Sequence, residues 1–262
     1  MLWLPLGAGI LWLKKIPWAY PLAPDHKLLL LLPLYLVAPI AVDVLRRFSP
    51  GTTWADYGLF GPAAFVQAMA LGFSVALLGV TLWLGGQWLL GWRRWSYPPQ
   101  NSQGRPPWSL LGALLALTLF ISGVEELVFR GVLINGMVSA LPWAATVLLA
   151  SLVFALSHLV WDGPAGVPQL PGLGLMGLVL ILACWATGGA LGLAWGLHGG
   201  WIFAIALNDT WHLTEPDPNA PTWLIGRPDQ PLTDLGALGL LLLTGIGIWG
   251  YAHGMGAAVG LG

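Results

Sequence analysis

Two acidic residues and a base stand where an apolar sequence has least room for charge. The segment SGVEELVFRG puts Glu125, Glu126 and Arg130 inside an apolar run that begins at Trp108, about 17 residues earlier or roughly 25 Å along a helix. An ionisable group at that depth costs several kcal/mol unless it is paired or solvated, so it is first read as functional. Glu126 and Arg130 are four apart, on one helical face, and a salt bridge between them would offset much of that cost. Glu125 is turned by about 100° from Glu126 and has no such local partner, which leaves its carboxylate free for chemistry. Two more apolar runs each carry one imidazole: His158 after SLVFALS and His198 after GLAWGL. Phe154 lies one turn before His158 on the same face. A carboxylate and two imidazoles converging inside a helical bundle have the chemistry to activate a water or to hold a metal ion.

The elements that must position these groups are apolar helices. Of 262 residues 57% are hydrophobic and 8% charged, against about a quarter charged in an ordinary soluble domain. Such a surface suits lipid tails. The fold class expected is therefore all-α, a polytopic helical bundle integral to a membrane. Runs long enough to span lie at about 27–45, 62–92, 108–138, 142–160, 173–185, 190–207 and 235–252, which predicts about seven transmembrane helices. Many of the 17 tryptophans, among them Trp12, Trp88, Trp92, Trp143 and Trp161, sit near the ends of these runs, where the amphipathic ring suits the headgroup layer. Residues 1–16 carry their lysines after the apolar stretch and lack a small-residue cleavage site, so they read as a short or interfacial segment rather than a signal peptide.

Residues 96–107 (SYPPQNSQGRPP) read as a polar linker. It divides N-terminal transmembrane helices at 1–95 from the motif-bearing core at 108–262. Lys14, Lys15, Lys27, Arg93, Arg94 and Arg105 fall on one side of the predicted helices and Arg46 and Arg47 on the other, which favours a cytoplasmic N-terminus, with the plasma (inner) membrane as the expected host. Lys plus Arg (10) nearly balances Asp plus Glu (11), which argues against nucleic acid as a partner. The single cysteine, Cys184, excludes a disulfide framework within one chain.

The three polar segments also carry a resemblance. EELVFR at 125–130 is similar to an EExxxR motif, FALSH at 154–158 to an FxxxH motif, and His198 to the third-motif histidine of the CPBP (Abi) intramembrane proteases. That family groups type II CAAX prenyl endopeptidases with bacteriocin-processing and immunity proteins. The resemblance covers about residues 108–207. It implies an intramembrane metalloendopeptidase, a hydrolase that cuts a peptide bond of a membrane-associated protein or peptide in the lipid bilayer. Glu125 would be the general base, and Glu126 with Arg130 the structural pair. His158 and His198 would hold the water, bind a divalent metal or stabilise the oxyanion. With Glu125 they form the expected metal set, zinc being the ion implied. The family's last motif usually has Asn or Asp four residues after its histidine; here that position is Ile202, and Asn208 and Asp209 lie out of register. The alternatives are a scaffold or immunity-type protein of the same fold with reduced activity, or a proton or metal transporter, which the lack of a second EE-containing segment disfavours.

Overall fold

The computed structural model describes residues 3–17, 20–21, 23–96, 107–227 and 230–259. Each predicted apolar run forms a helix. After a short α1 (Trp3–Leu13) come α2 (Pro24–Arg47), α3 (Pro62–Leu89) and α4 (Ser109–Glu126), the last continuing through a π-helical stretch (Leu127–Leu133) into α5 (Ile134–Val138). Then follow α6 (Trp143–Asp162), α7 (Leu170–Ala186), α8 (Gly192–Trp211), the single turn α9 (Thr222–Ile225) and α10 (Leu235–Val259). Pro24 and Pro62 sit in the first turns of α2 and α3, where a missing N–H costs nothing. Gly188 and Gly189, at φ +67° and +94°, make the reversal between α7 and α8 that only glycine adopts without strain.

The chain is a helical membrane protein, and composition alone marks five spans against the expected seven. Five helical stretches are long and apolar enough to cross a membrane: Leu29–Arg47, Ala55–Leu89, Ser109–Val138, Trp143–Ala186 and Leu235–Gly254. α6 and α7 fall in one 44-residue stretch, joined through the 3-10 turn Gly163–Gln169. α8 is outside the five for a physical reason. It is the most enclosed helix, packed along α3 and against α4 and α7, so its composition answers to protein neighbours rather than to lipid. At 11 residues α1 is too short to span, as expected of the first segment.

Close packing around α8 depends on glycine. A Cβ at Gly196 would stand 2.0 Å from the Met69 carbonyl oxygen of α3, and one at Gly72 2.4 Å from the Leu193 carbonyl oxygen of α8. This small-residue contact brings the two backbones together. Outward residues such as Leu36, Ile40, Leu82, Leu148 and Leu243 remain exposed as a lipid-facing surface.

A small element was not anticipated from the sequence. Strand β1 (Arg93–Trp95), after α3, pairs antiparallel with β2 (Thr214–Pro216), after α8, in the register Arg94↔Glu215. The linker expected over 96–107 lies, except at its two ends, outside the described residues.

Candidate active site

The π-helical stretch begins directly after Glu126, so both glutamates sit at the point where the α4 ladder widens. Such insertions often mark functional positions, because they re-aim side chains on either side. Glu126 is fully buried, and its Oε1 accepts from Arg130 Nη1 at 2.9 Å and pairs with His198 Nδ1 at 2.7 Å. The Arg130 guanidinium also lies 4.3 Å from the centre of the Phe154 ring and donates through Nη2 to the Gly177 carbonyl at 3.4 Å. The expected Glu126–Arg130 pair is thus present, and it reaches helices α6, α7 and α8. His198 is the added member.

His198 fixes the second carboxylate in turn. Because the Glu126 carboxylate accepts, Nδ1 of a neutral His198 carries the proton and Nε2 turns its lone pair toward Glu125, whose Oε2 lies 3.7 Å away. That gap is too long for a direct hydrogen bond, and a water contacting both atoms would sit beside the line joining them. Glu125 Oε2 is buried with no hydrogen-bond partner, while Oε1 accepts from the Tyr35 hydroxyl of α2. His158 donates from Nδ1 to the Phe154 carbonyl at 2.9 Å, so its Nε2 is likewise the free nitrogen. Phe154 packs in T-shaped contact with both imidazoles, its ring centre 4.9 Å from that of His158 and 6.0 Å from that of His198.

Two cavities meet at this cluster. One, of about 370 Å³, is lined by Glu125, His158, Tyr35, Phe129, Lys27 and Asp162. At its rim Lys27 and Asp162 form an ion pair of 2.9 Å between α2 and α6. The other, of about 320 Å³, is lined by Glu125, His158, His198, Trp201, Ile202 and Asp209 among others. Glu125 and His158 belong to both. The arrangement holds a carboxylate, two imidazole nitrogens and two half-open cavities that share Glu125 and His158, the parts needed for a water attacking a bound carbonyl.

Both free Nε2 atoms have metal-ligand chemistry. Among the described residues, however, no three His, Cys, Asp or Glu side chains are grouped to hold a metal ion. Glu125, His158 and His198 as arranged do not fit one, and no step below runs through a metal.

One family model matches part of the chain. Residues 107–204 match the family model of the type II CAAX prenyl endopeptidase Rce1-like proteins. The matched residues contain Glu125, Glu126, Arg130, His158 and His198, so the likeness to that family covers the region of the site. It leaves out α2, α3 and α10. No curated protein and no solved structure matches the chain at a significant level.

Tyr35 is the site residue that the sequence reading missed. Its only signal was a hydroxyl alone in the run LLLLLPLYLVAPIAV, and its partner lies 90 residues away. Ile202 lines the second cavity without a polar atom. Asn208 is engaged elsewhere, its Oδ1 accepting from the Thr214 backbone at 3.1 Å and hydroxyl at 2.8 Å at the end of α8.

Proposed function

We propose that this chain is an intramembrane endopeptidase that hydrolyses a peptide bond of a membrane-associated protein or peptide. Glu125 acts as general base. The observation carrying the reading is its partnerless buried Oε2, 3.7 Å from His198 Nε2 and at the meeting of two cavities. A water there donates one hydrogen to Glu125 Oε2 and the other to an imidazole Nε2. As its oxygen bonds to the substrate carbonyl carbon, Glu125 takes the first proton and then delivers it to the departing amine when the C–N bond breaks. Glu126 and Arg130 hold His198 in the tautomer that faces the water. The two apolar cavities suit chain on both sides of the cleaved bond.

The test is cleavage of quenched fluorescent peptides, lipidated and unlipidated, by purified protein in lipid vesicles. Wild type is expected to turn over at least one of them, and Glu125→Gln to lose 100-fold or more of kcat, about what removal of a general base costs. Full turnover by Glu125→Gln would refute the mechanism. Metal content of the same preparations tests zinc. One equivalent lost in both His158→Ala and His198→Ala would mean that these side chains rearrange to hold an ion, and its absence leaves the Glu125-activated water alone.

A second reading is a scaffold or immunity-type protein of reduced activity. It is favoured by Ile202, which offers no donor to an oxyanion where the family pattern has Asn or Asp. It predicts that Glu125→Ala and His198→Ala leave the cellular phenotype intact.

A further inference from the structure

Tyr35 stands in the apolar middle of α2, between Leu34 and Leu36, and its side chain crosses to α4 to donate to Glu125 Oε1. α2 lies outside the residues matched by the family model, so the contact brings a second part of the chain to the site. A carboxylate has two equivalent oxygens and rotates readily about its last side-chain bond. A donor on Oε1 ends that equivalence. With Oε1 held by Tyr35, Oε2 is the oxygen left facing His198 Nε2. Tyr35 also lines the first cavity beside Glu125 and His158, so its hydroxyl borders the space a substrate would occupy.

We infer that Tyr35 is the positioning residue for the general base: its hydroxyl fixes the Glu125 carboxylate so that Oε2 alone takes the proton from water. The inference rests on the reading of Glu125 as base, and extends the working site from α4, α6 and α8 to α2. Two effects follow. Without the hydroxyl, the carboxylate samples orientations in which neither oxygen faces His198. It also loses an O–H donor, and a carboxylate that loses a donor takes up its proton more readily.

Dicyclohexylcarbodiimide, an apolar reagent that enters membranes and attacks carboxyl groups in their protonated form, reads the second effect without a substrate. The Glu125 adduct is quantified by mass spectrometry across a pH series in the full-length purified protein. In Tyr35→Phe half-maximal labelling moves to higher pH by about one unit, the size expected for one lost hydrogen bond to a charged group. Replacing the chain's five tyrosines with 3-fluorotyrosine keeps the rings and makes the phenol a stronger donor, which moves half-maximal labelling to lower pH. Opposite shifts in the two proteins support the inference. A midpoint unmoved in both, or shifts of the same sign, overturns it, because packing changes alone have no reason to follow donor strength. If Tyr35→Phe fails to fold, the fluorotyrosine protein decides alone by whether its midpoint falls. An unmoved midpoint beside an inactive Glu125→Gln removes Tyr35 from the mechanism and leaves the base, whereas peptide cleavage by Glu125→Gln removes the base itself.

Discussion

Two adjacent carboxylates acquire different tasks from their partners. Glu126 meets Arg130 at 2.9 Å and His198 at 2.7 Å through Oε1 in full burial, and although each glutamate keeps its Oε2 without a hydrogen-bond partner, only Glu125 lines the two cavities. Removing one member of such a network leaves a charge in a site with no water to receive it. Arg130→Met is therefore expected to destabilise the protein by about 3–5 kcal/mol, read as unfolding in detergent. Adding Glu126→Gln to that variant should cost far less than the sum of the two single changes, since it removes the stranded charge. Additive losses would mean that the pair is not coupled. The Glu126–Arg130 pairing was legible in the sequence, because residues four apart share a helical face whatever the fold. The pairing of His198 with Glu126 was not. The sequence reading grouped His198 with Glu125, and only packing of α8 on α4 decides which of two neighbouring carboxylates its Nδ1 meets. Tyr35 was hidden for the same reason, its partner lying on another helix.

Elements that span lipid announce themselves by length and apolarity, so each of the seven predicted runs is a helix. What did not show was whatever depends on neighbours: the π-helical stretch after Glu126, the enclosure of α8, and the three-residue strands whose bonded residues Arg93 and Thr214 are 121 positions apart. The glycines where α8 meets α3 have position-specific tasks. Gly196→Ala would drive a methyl group against the Met69 carbonyl oxygen, a backbone atom that cannot rotate away, and is expected to cost about 1–3 kcal/mol or more. Gly112 of α4 has open space around its Cβ direction, and Gly112→Ala should stay within about 1 kcal/mol of wild type. Equal effects in a thermal unfolding series would contradict this packing. The β1–β2 ribbon carries a pH dependence. The Asn219 backbone N–H at 2.8 Å, and then the Arg94 guanidinium, hold the Asp217 carboxyl below the ordinary value of about 3.9. A carboxyl lowered on folding stabilises the fold above its unfolded value and loses that contribution as pH falls through the folded one. Proteolysis in the 217–227 loop should accelerate as pH falls below about 4, and Asp217→Asn should remove the pH dependence. A rate that rises equally in Asp217→Asn would assign it to another group.

At the scale of the molecule, contacts between distant segments sort the helix ends into two groups. Lys27 at the start of α2 meets Asp162 at the end of α6, β1 after α3 pairs with β2 after α8, and Gln230 before α10 donates to the Ala165 carbonyl before α7. These ends share one side. Leu191 at the start of α8 donates its backbone N–H to the Gly58 carbonyl before α3, and the Asn135 side chain at α5 donates to the Asp56 carbonyl, which gathers the other ends opposite. The chain therefore alternates side at every long helix from α2 to α10, α8 included, although only five stretches are apolar enough to cross by composition. An enclosed α8 can traverse the bilayer behind α3 and α4 without an apolar surface of its own. Single cysteines in a Cys184→Ala background separate the possibilities when intact cells meet a membrane-impermeant maleimide. Phe48→Cys, Leu141→Cys and Gly188→Cys should respond alike, and Leu90→Cys, Ala165→Cys and Ala220→Cys should respond in the opposite way. With the N-terminus in the cytoplasm, as the balance of basic residues favours, the first group is the one labelled from outside. If Gly188→Cys instead joins Ala165→Cys and Ala220→Cys, then α7 and α8 form a re-entrant hairpin rather than two crossings, and His198 reaches Glu126 from the same side as Asp162.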